Sequence, residues 1–129
     1  MTEPLYLEDM VPGRRFVSPG SVEVDAGEIQ AFARQYDPQP FHLDDEAARG
    51  TPFGGLAASG WHTAALTMRL LTAGTLPVAG GIIGMNMEVS WPRPTRPGNR
   101  LRLECDVLEA RPSRSRPEQG VVKMRCTTL

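Results

Sequence analysis

The stretch from Ser59 to about Leu71 limits the fold more than any other part of this chain. Leu66 and Leu70, with Ala57, Ala58, Ala64 and Ala65, make it apolar around much of its circumference. A helix of that kind has no polar face broad enough for the surface, so other structure must wrap it. Ser59 is a good N-cap for it, and Gly74 a plausible stop. After Gly80-Gly81 the pattern changes. Residues Ile82 to Trp91, Arg100 to Ala110 and Val121 to Thr128 carry β-branched residues in partial period-two alternation, split by proline- and glycine-rich turns. Leu101, Leu103, Cys105 and Val107 fall on one face of the second of these, against Arg102, Glu104, Asp106 and Leu108 on the other, Leu108 being the apolar exception there. The expectation is an antiparallel sheet laid against one apolar helix, an α+β architecture.

Before that helix, Ser21 to Val24 alternates as a strand would, and Asp25 with Glu28 resembles a capping box opening a helix to about Tyr36. Ile29, Phe32, Ala33 and Tyr36 recur at helical spacing and are expected to face inward. Asp44 or Asp45 can cap a short turn through Arg49, ended by Gly50-Thr51-Pro52.

With 129 residues, 40% of them hydrophobic, the chain fits one compact domain spanning residues 1–129. A net charge of −1 without a long basic run argues against generic nucleic-acid or membrane-surface binding and for a small ligand. The N-terminal residues have neither the basic start nor the apolar block of a secretory signal. No apolar run approaches the ~20 residues that cross a bilayer, so a cytoplasmic location is expected. Cys105 and Cys126 read as two reduced, separate core or interface residues, not as a disulfide. With only two histidines, no metal site is expected.

Between the first helix and the apolar one lies Asp37-Pro38-Gln39-Pro40-Phe41-His42, a carboxylate and an imidazole on a proline-stiffened connection. Taken singly, Asp37 is more often a helix-end residue and His42 a satisfied histidine. Five extended residues span ~16 Å, so the connection must curl before the two side chains can share one water. Pro38 and Pro40 lower the entropy lost in holding a bent shape without saying which shape. The run Pro52-Phe53-Gly54-Gly55 then turns the chain towards Ser59-Gly60-Trp61-His62. Ala57-Ala58-Ser59-Gly60-Trp61 is not a nucleophile elbow, and Gly54-Gly55 lacks the lysine and spacing of a phosphate loop. The serine reads as a cap and the glycines as a turn beside a substrate.

These residues resemble the MaoC-like dehydratases, which include the (R)-specific enoyl-CoA hydratases and have the hot-dog fold. The family motif runs roughly Asp-x-Asn-Pro-(aliphatic)-His. Here the spacing and proline are kept, with Gln39 for asparagine and Phe41 for the aliphatic residue. The family's His-Gly-Met-Leu segment corresponds to Ser59-Gly60-Trp61-His62, and the likeness extends from Gly13-Arg14-Arg15-Phe16 through Trp91-Pro92-x-Pro94 to Pro97-Gly98-Asn99-Arg100-Leu101. Members carry one further strand after the segment matching Val121 to Thr128, so the resemblance implies a strand that this sequence lacks.

The resemblance implies addition of water across a trans-2-enoyl-CoA to give an (R)-3-hydroxyacyl-CoA. Asp37 and His42 then activate water, and the Gly60 N–H polarises the thioester oxygen. Phe41, Phe53, Gly54, Gly55, Ser59 and Trp61 are the expected substrate-binding residues, the aromatic ones drying the site and raising the aspartate pKa. Coenzyme A is part of the substrate, and no cofactor is expected. Arg93, Arg96 and Arg100 are candidates for its phosphates, against the plainer reading of a solvated loop. Met68, Met85 and Met87 are candidates for an acyl tunnel, against plain core. A homodimer or higher homo-oligomer is implied, with the pocket along the interface. A hot-dog acyl-CoA thioesterase and a non-catalytic acyl-CoA-binding subunit are the alternatives.

Overall fold

A computed structural model of the chain describes residues 3–116 and 118–129. They fall into two compact units. One contains Val22–Met68 and Asn86–Leu101; the other contains the described residues up to Ser21, with Arg69–Met85 and Arg102–Leu129.

The first of these units holds most of the helical residues. Helix α1, Ala26–Tyr36, starts where Asp25 accepts a hydrogen bond from the Glu28 N–H at 3.0 Å, the aspartate half of the expected capping arrangement. Ile29 and Ala33 are fully buried, whereas Tyr36 is exposed and only tilts against Phe32. The expected inward stripe therefore stops a turn early, because the helix end runs straight into the Asp37 connection. Pro40 opens α2, Pro40–Leu43, at a position where its missing N–H costs no helical hydrogen bond. Asp44 caps α3, Asp45–Arg49, through the Ala47 N–H. Helix α4 covers Gly60–Leu70. A π-helical turn at Leu71–Thr75 follows, within which Ala73 and Gly74 leave helical geometry, Gly74 at φ +117° where a side chain would be strained. Leu66, Leu70 and Leu71 are buried. No helix among the described residues is long and apolar enough to cross a membrane. A two-stranded antiparallel ribbon joins β2, Val22–Glu23, to β3, Arg100–Leu101.

The other unit is built on a three-stranded antiparallel sheet. Strand β1, Arg15–Val17, pairs with β4, Leu103–Pro112, which pairs with β5, Gly120–Thr128. Leu103, Cys105 and Val107 are essentially without solvent contact, as their alternation required, and Leu101 in β3 is buried. Leu108, which alternation places on the opposite face, is exposed and lies unpaired in a register shift between Val107 and Glu109. Cys105 and Cys126, separate in the sequence, are direct cross-strand neighbours.

One expected strand does not form. Residues 82–91 make no ladder among the described residues. Ile83, Met85 and Met87 are 85%, 72% and 69% exposed. The alternation is there, but a strand needs a neighbouring backbone, and none is supplied. Met85 and Met87 are therefore side chains in solvent among the described residues, not the lining of a tunnel.

Candidate active site

The curl demanded of the Asp37–His42 connection is supplied by α2. The Gln39 N–H bonds back to the Asp37 carbonyl at 2.8 Å, and the His42 N–H to the Gln39 carbonyl at 3.0 Å. This folds the six residues from Asp37 to His42 into a tight bend and brings His42 Nε2 to 3.4 Å from Asp37 Oδ2. The imidazole is almost wholly buried and the carboxylate about one-fifth exposed.

His42 is held from behind. Its Nδ1 lies 2.6 Å from the Ala57 carbonyl oxygen. A carbonyl only accepts, so Nδ1 carries a proton in either charge state. Nε2, on the Asp37 side, is then the nitrogen that gains or loses one. The Ala57 carbonyl is itself fixed, because the Ala57 N–H donates to Phe41 O at 3.0 Å and the Ala58 N–H to Thr95 O at 2.8 Å.

Asp37 Oδ1 accepts from Gln39 Nε2 at 2.6 Å. Burial pushes the carboxyl pKa up, but hydrogen bonds from Ser59 and Gln39 and the field of His42 outweigh it and leave the group below its ordinary value of 3.8. The expected rise from aromatic drying is thus reversed: two hydrogen bonds stabilise the anion more than partial burial destabilises it. Ser59 is fully buried and also accepts the Trp61 N–H at 3.3 Å, so one hydroxyl caps α4 and ties its start to Asp37.

Gly60 opens α4, where backbone N–H groups have no intrahelical acceptor and the helix dipole favours negative charge. Trp91 covers this glycine. Its Nε1 donates to the Gly60 carbonyl at 3.0 Å, and a β-carbon at Gly60 would lie 2.6 Å from the indole Cε2. Trp61 meets Trp91 edge-on, their centroids 5.5 Å apart. Asp37, His42, Gly60, Phe41, Phe53, Trp61 and Trp91 line one cleft of about 420 Å³, entirely within the helical unit.

Other expected contacts fall elsewhere. Gly54 and Gly55 are absent from the cleft lining. Gly54 serves the turn, at φ +66°, and the Gly55 carbonyl is taken by Arg96 Nη1 at 2.8 Å. Arg96 also donates to the Phe53 and Leu56 carbonyls, so it clamps the 53–56 turn and is not left for a phosphate. Arg100 pairs with Glu23 at 3.5 Å, while Arg93 does line the cleft. His62 is buried and stacked on Phe32, with its Nδ1 unpartnered among the described residues. Sequence reasoning missed Gln39 as a carboxylate donor, Trp91 as the cover of Gly60 and Arg96 as the turn clamp. A tryptophan in a proline-rich stretch was the one available signal, and its partner lies 31 residues away.

The chain belongs to the MaoC-like domain family, whose model matches residues 9–128. It is 58% identical to a MaoC-like dehydratase from Rhodospirillum rubrum of known crystal structure, covering 97% of this chain and 85% of that one, with a TM-score of 0.91. It is 27% identical to an (R)-hydratase from A. caviae involved in PHA biosynthesis, over 92% and 85% of the two chains, with a TM-score of 0.67. A 3-hydroxybutyryl-CoA dehydratase from Methylorubrum extorquens is 29% identical over 95% of this chain and 73% of its own length. The fold is the hot-dog class expected from the sequence, α+β with antiparallel strands and one long apolar helix.

Proposed function

We propose that this protein is a hydratase/dehydratase acting on trans-2-enoyl-CoA and its (R)-3-hydroxyacyl-CoA product. The observation that carries the reading is the 3.4 Å approach of His42 Nε2 to Asp37 Oδ2 in the cleft that also contains Gly60. Both atoms accept hydrogen bonds when the imidazole is neutral, so together they hold the two protons of one water and aim its oxygen outward.

As that oxygen attacks the β-carbon, His42 Nε2 takes a proton, and the Asp37 carboxylate, ionised at neutral pH, stabilises the imidazolium. Electrons from the carbon–carbon double bond move towards the thioester oxygen. The Gly60 N–H opposes that charge, which is worth roughly 3 kcal/mol in the transition state. The same proton then passes to the α-carbon, closing the reaction with no net acid or base. Water addition is redox-neutral and calls for no electron carrier, and coenzyme A enters as part of the substrate. Gln39 and Ser59 hold the carboxylate, the Ala57 carbonyl holds the imidazole, and Phe41, Phe53 and Trp61 exclude competing water.

The exposed apolar run at 82–91 supports a homodimer, since a second copy offers the missing backbone partner. The test is loss of crotonyl-CoA absorbance on hydration. Asp37→Asn and His42→Gln are each expected to lower kcat/KM by about a hundredfold or more. Equal rates in all three proteins would refute the assignment. Release of free thiol from a saturated acyl-CoA would instead favour a thioesterase, and tight acyl-CoA binding without turnover a non-catalytic subunit.

A further inference from the structure

Away from the proposed chemistry, the three-stranded sheet holds the chain's only two cysteines side by side. Cys105 and Cys126 are register partners in the β4–β5 ladder, with their sulfurs 3.0 Å apart and both free. The backbone bonding fixes what kind of pair this is. The Ser18 N–H donates to Leu103 O, and the Val107 N–H donates to Arg14 O, so the odd-numbered residues of β4 turn their backbone groups towards β1. Arg102 and Leu129, by contrast, exchange both hydrogen bonds across the β5 side. Cys105 and Cys126 therefore form a non-hydrogen-bonded pair, in which α-carbons approach to ~4.5 Å and side chains come closest. Disulfides span α-carbon separations of ~4.4–6.8 Å, so the pair sits at the short end of that range and needs little backbone movement to bridge.

The two thiols are unequal. Cys105 is fully buried between Leu103 and Val107 positions, while Cys126 lies on the edge strand of the described sheet and is exposed. The hydrogen bond from Cys105 lowers the Cys126 thiol pKa against the opposing pull of burial and of Asp106, and it raises that of Cys105, which burial raises further. An accessible thiol with added thiolate character beside a protected one is the arrangement of an attacking and a resolving cysteine.

We propose that Cys105 and Cys126 are a reversible dithiol modification site, closed to an intrachain disulfide by small-molecule disulfides of the glutathione type. The Cys126 thiolate attacks one sulfur of the small disulfide, forming a mixed disulfide and expelling one small thiolate. The Cys105 sulfur, after losing its proton, attacks Cys126 Sγ and expels the second. Two protein thiols are oxidised, one small disulfide is reduced to two thiols, and the two protons end on those leaving groups. The bridge ties β4 to the edge strand β5, and excess thiol reopens it by the same exchange run in reverse.

The experiment exposes the reduced full chain to oxidised glutathione and follows intact mass and peptide maps. The expected wild-type product is two hydrogens lighter, carries no glutathione, yields a linked Cys105–Cys126 peptide, melts several degrees higher and reverts with dithiothreitol. Cys105→Ser should stop at a stable glutathione adduct on Cys126, and Cys126→Ser should stay unmodified. If Cys105→Ser does not fold, Cys105→Ala and the wild-type time course, with its transient adduct, decide. Two free thiols persisting in the wild type, a stable wild-type adduct at Cys126, or a bridge between chains would each overturn the proposal.

Discussion

The connection from Asp37 to Ser59 and the segment from Ile82 to Trp91 have opposite fates in the same chain. In the first, the polar groups that matter find partners close by: Gln39 on Asp37, Ala57 on His42, Ser59 on both Asp37 and the start of α4. In the second, a clear alternation of apolar residues ends with its side chains in solvent and no ladder formed. The difference is one of direction. Turns and helix caps satisfy backbone groups along the chain, whereas a strand's donors and acceptors point sideways and wait for another strand. Groups satisfied by turns and caps therefore find their partners within one chain, and a strand pattern does not.

Breaking the first region at Gly60 should produce the largest effect after the loss expected of the Asp37 and His42 variants. In Gly60→Ala the new β-carbon meets the Trp91 ring at 2.6 Å, so the ring must leave and its bond to the Gly60 carbonyl must break. Overpacking of this kind costs about 1–3 kcal/mol, and kcat/KM should fall at least tenfold as the amide shifts. Combining it with Trp91→Ala should restore the melting temperature but not the turnover; a single variant that melts and reacts like the parent would show that the ring does not constrain this glycine.

The second region is tested by charge. Ile83→Asp and Met85→Asp alter side chains that touch little in one copy, so they should leave the helical content intact while weakening self-association at least tenfold in sedimentation equilibrium. A parent chain that sediments as a monomer, or variants that dimerise as tightly as the parent, would remove this segment from the interface.

A smaller change is expected from Trp91→Phe, which keeps a ring over Gly60 but deletes the donor to its carbonyl. One neutral hydrogen bond is worth about 0.5–1.5 kcal/mol, so a few-fold fall in kcat/KM with KM nearly constant is the expected outcome. A change confined to KM would place Trp91 in substrate binding alone.

The smallest effect at neutral pH concerns His62. Burial lowers its pKa below the ordinary 6.5, with Glu28 pulling the other way. A group whose folded pKa is depressed binds its proton more readily when unfolded. Its neutral form therefore supports stability above pH 6.5, and that support is lost as pH falls through and below that value, by up to roughly 1.4 kcal/mol per pH unit. His62→Leu should remove this slope from denaturant midpoints measured between pH 7 and pH 5; an unchanged slope would mean that another group carries it.

Much of the local structure was legible in advance. Asp25 caps as its side chain predicted, Asp44 is the one of two candidates that caps the short helix, Gly74 lies where the apolar helix breaks off, and Leu103, Cys105 and Val107 share a buried face. Of the site, Asp37 and His42 stood out as a pair by their spacing and Gly60 through the family resemblance, and all three line one cleft. The roles of Gln39, Trp91 and Arg96 were not. Gln39 had been noted only as a departure from a motif, and Arg96 as a phosphate candidate. Each gains its role from a geometry that sequence does not state: a bend that aims an amide at Asp37, a ring that crosses to Gly60, a guanidinium that reaches three carbonyls.

The amino-acid order alone determined where α1, α3 and α4 lie, which faces are apolar and which residue types stand ready for acid–base chemistry, because each follows from interactions within a few residues. Tertiary structure alone decided the sign of the Asp37 pKa shift, the pairing of Cys105 with Cys126 and the cover over Gly60. Those depend on which groups lie within a few ångströms after the chain has closed on itself, and separations of 21 or 31 residues in sequence carry no trace of such distances.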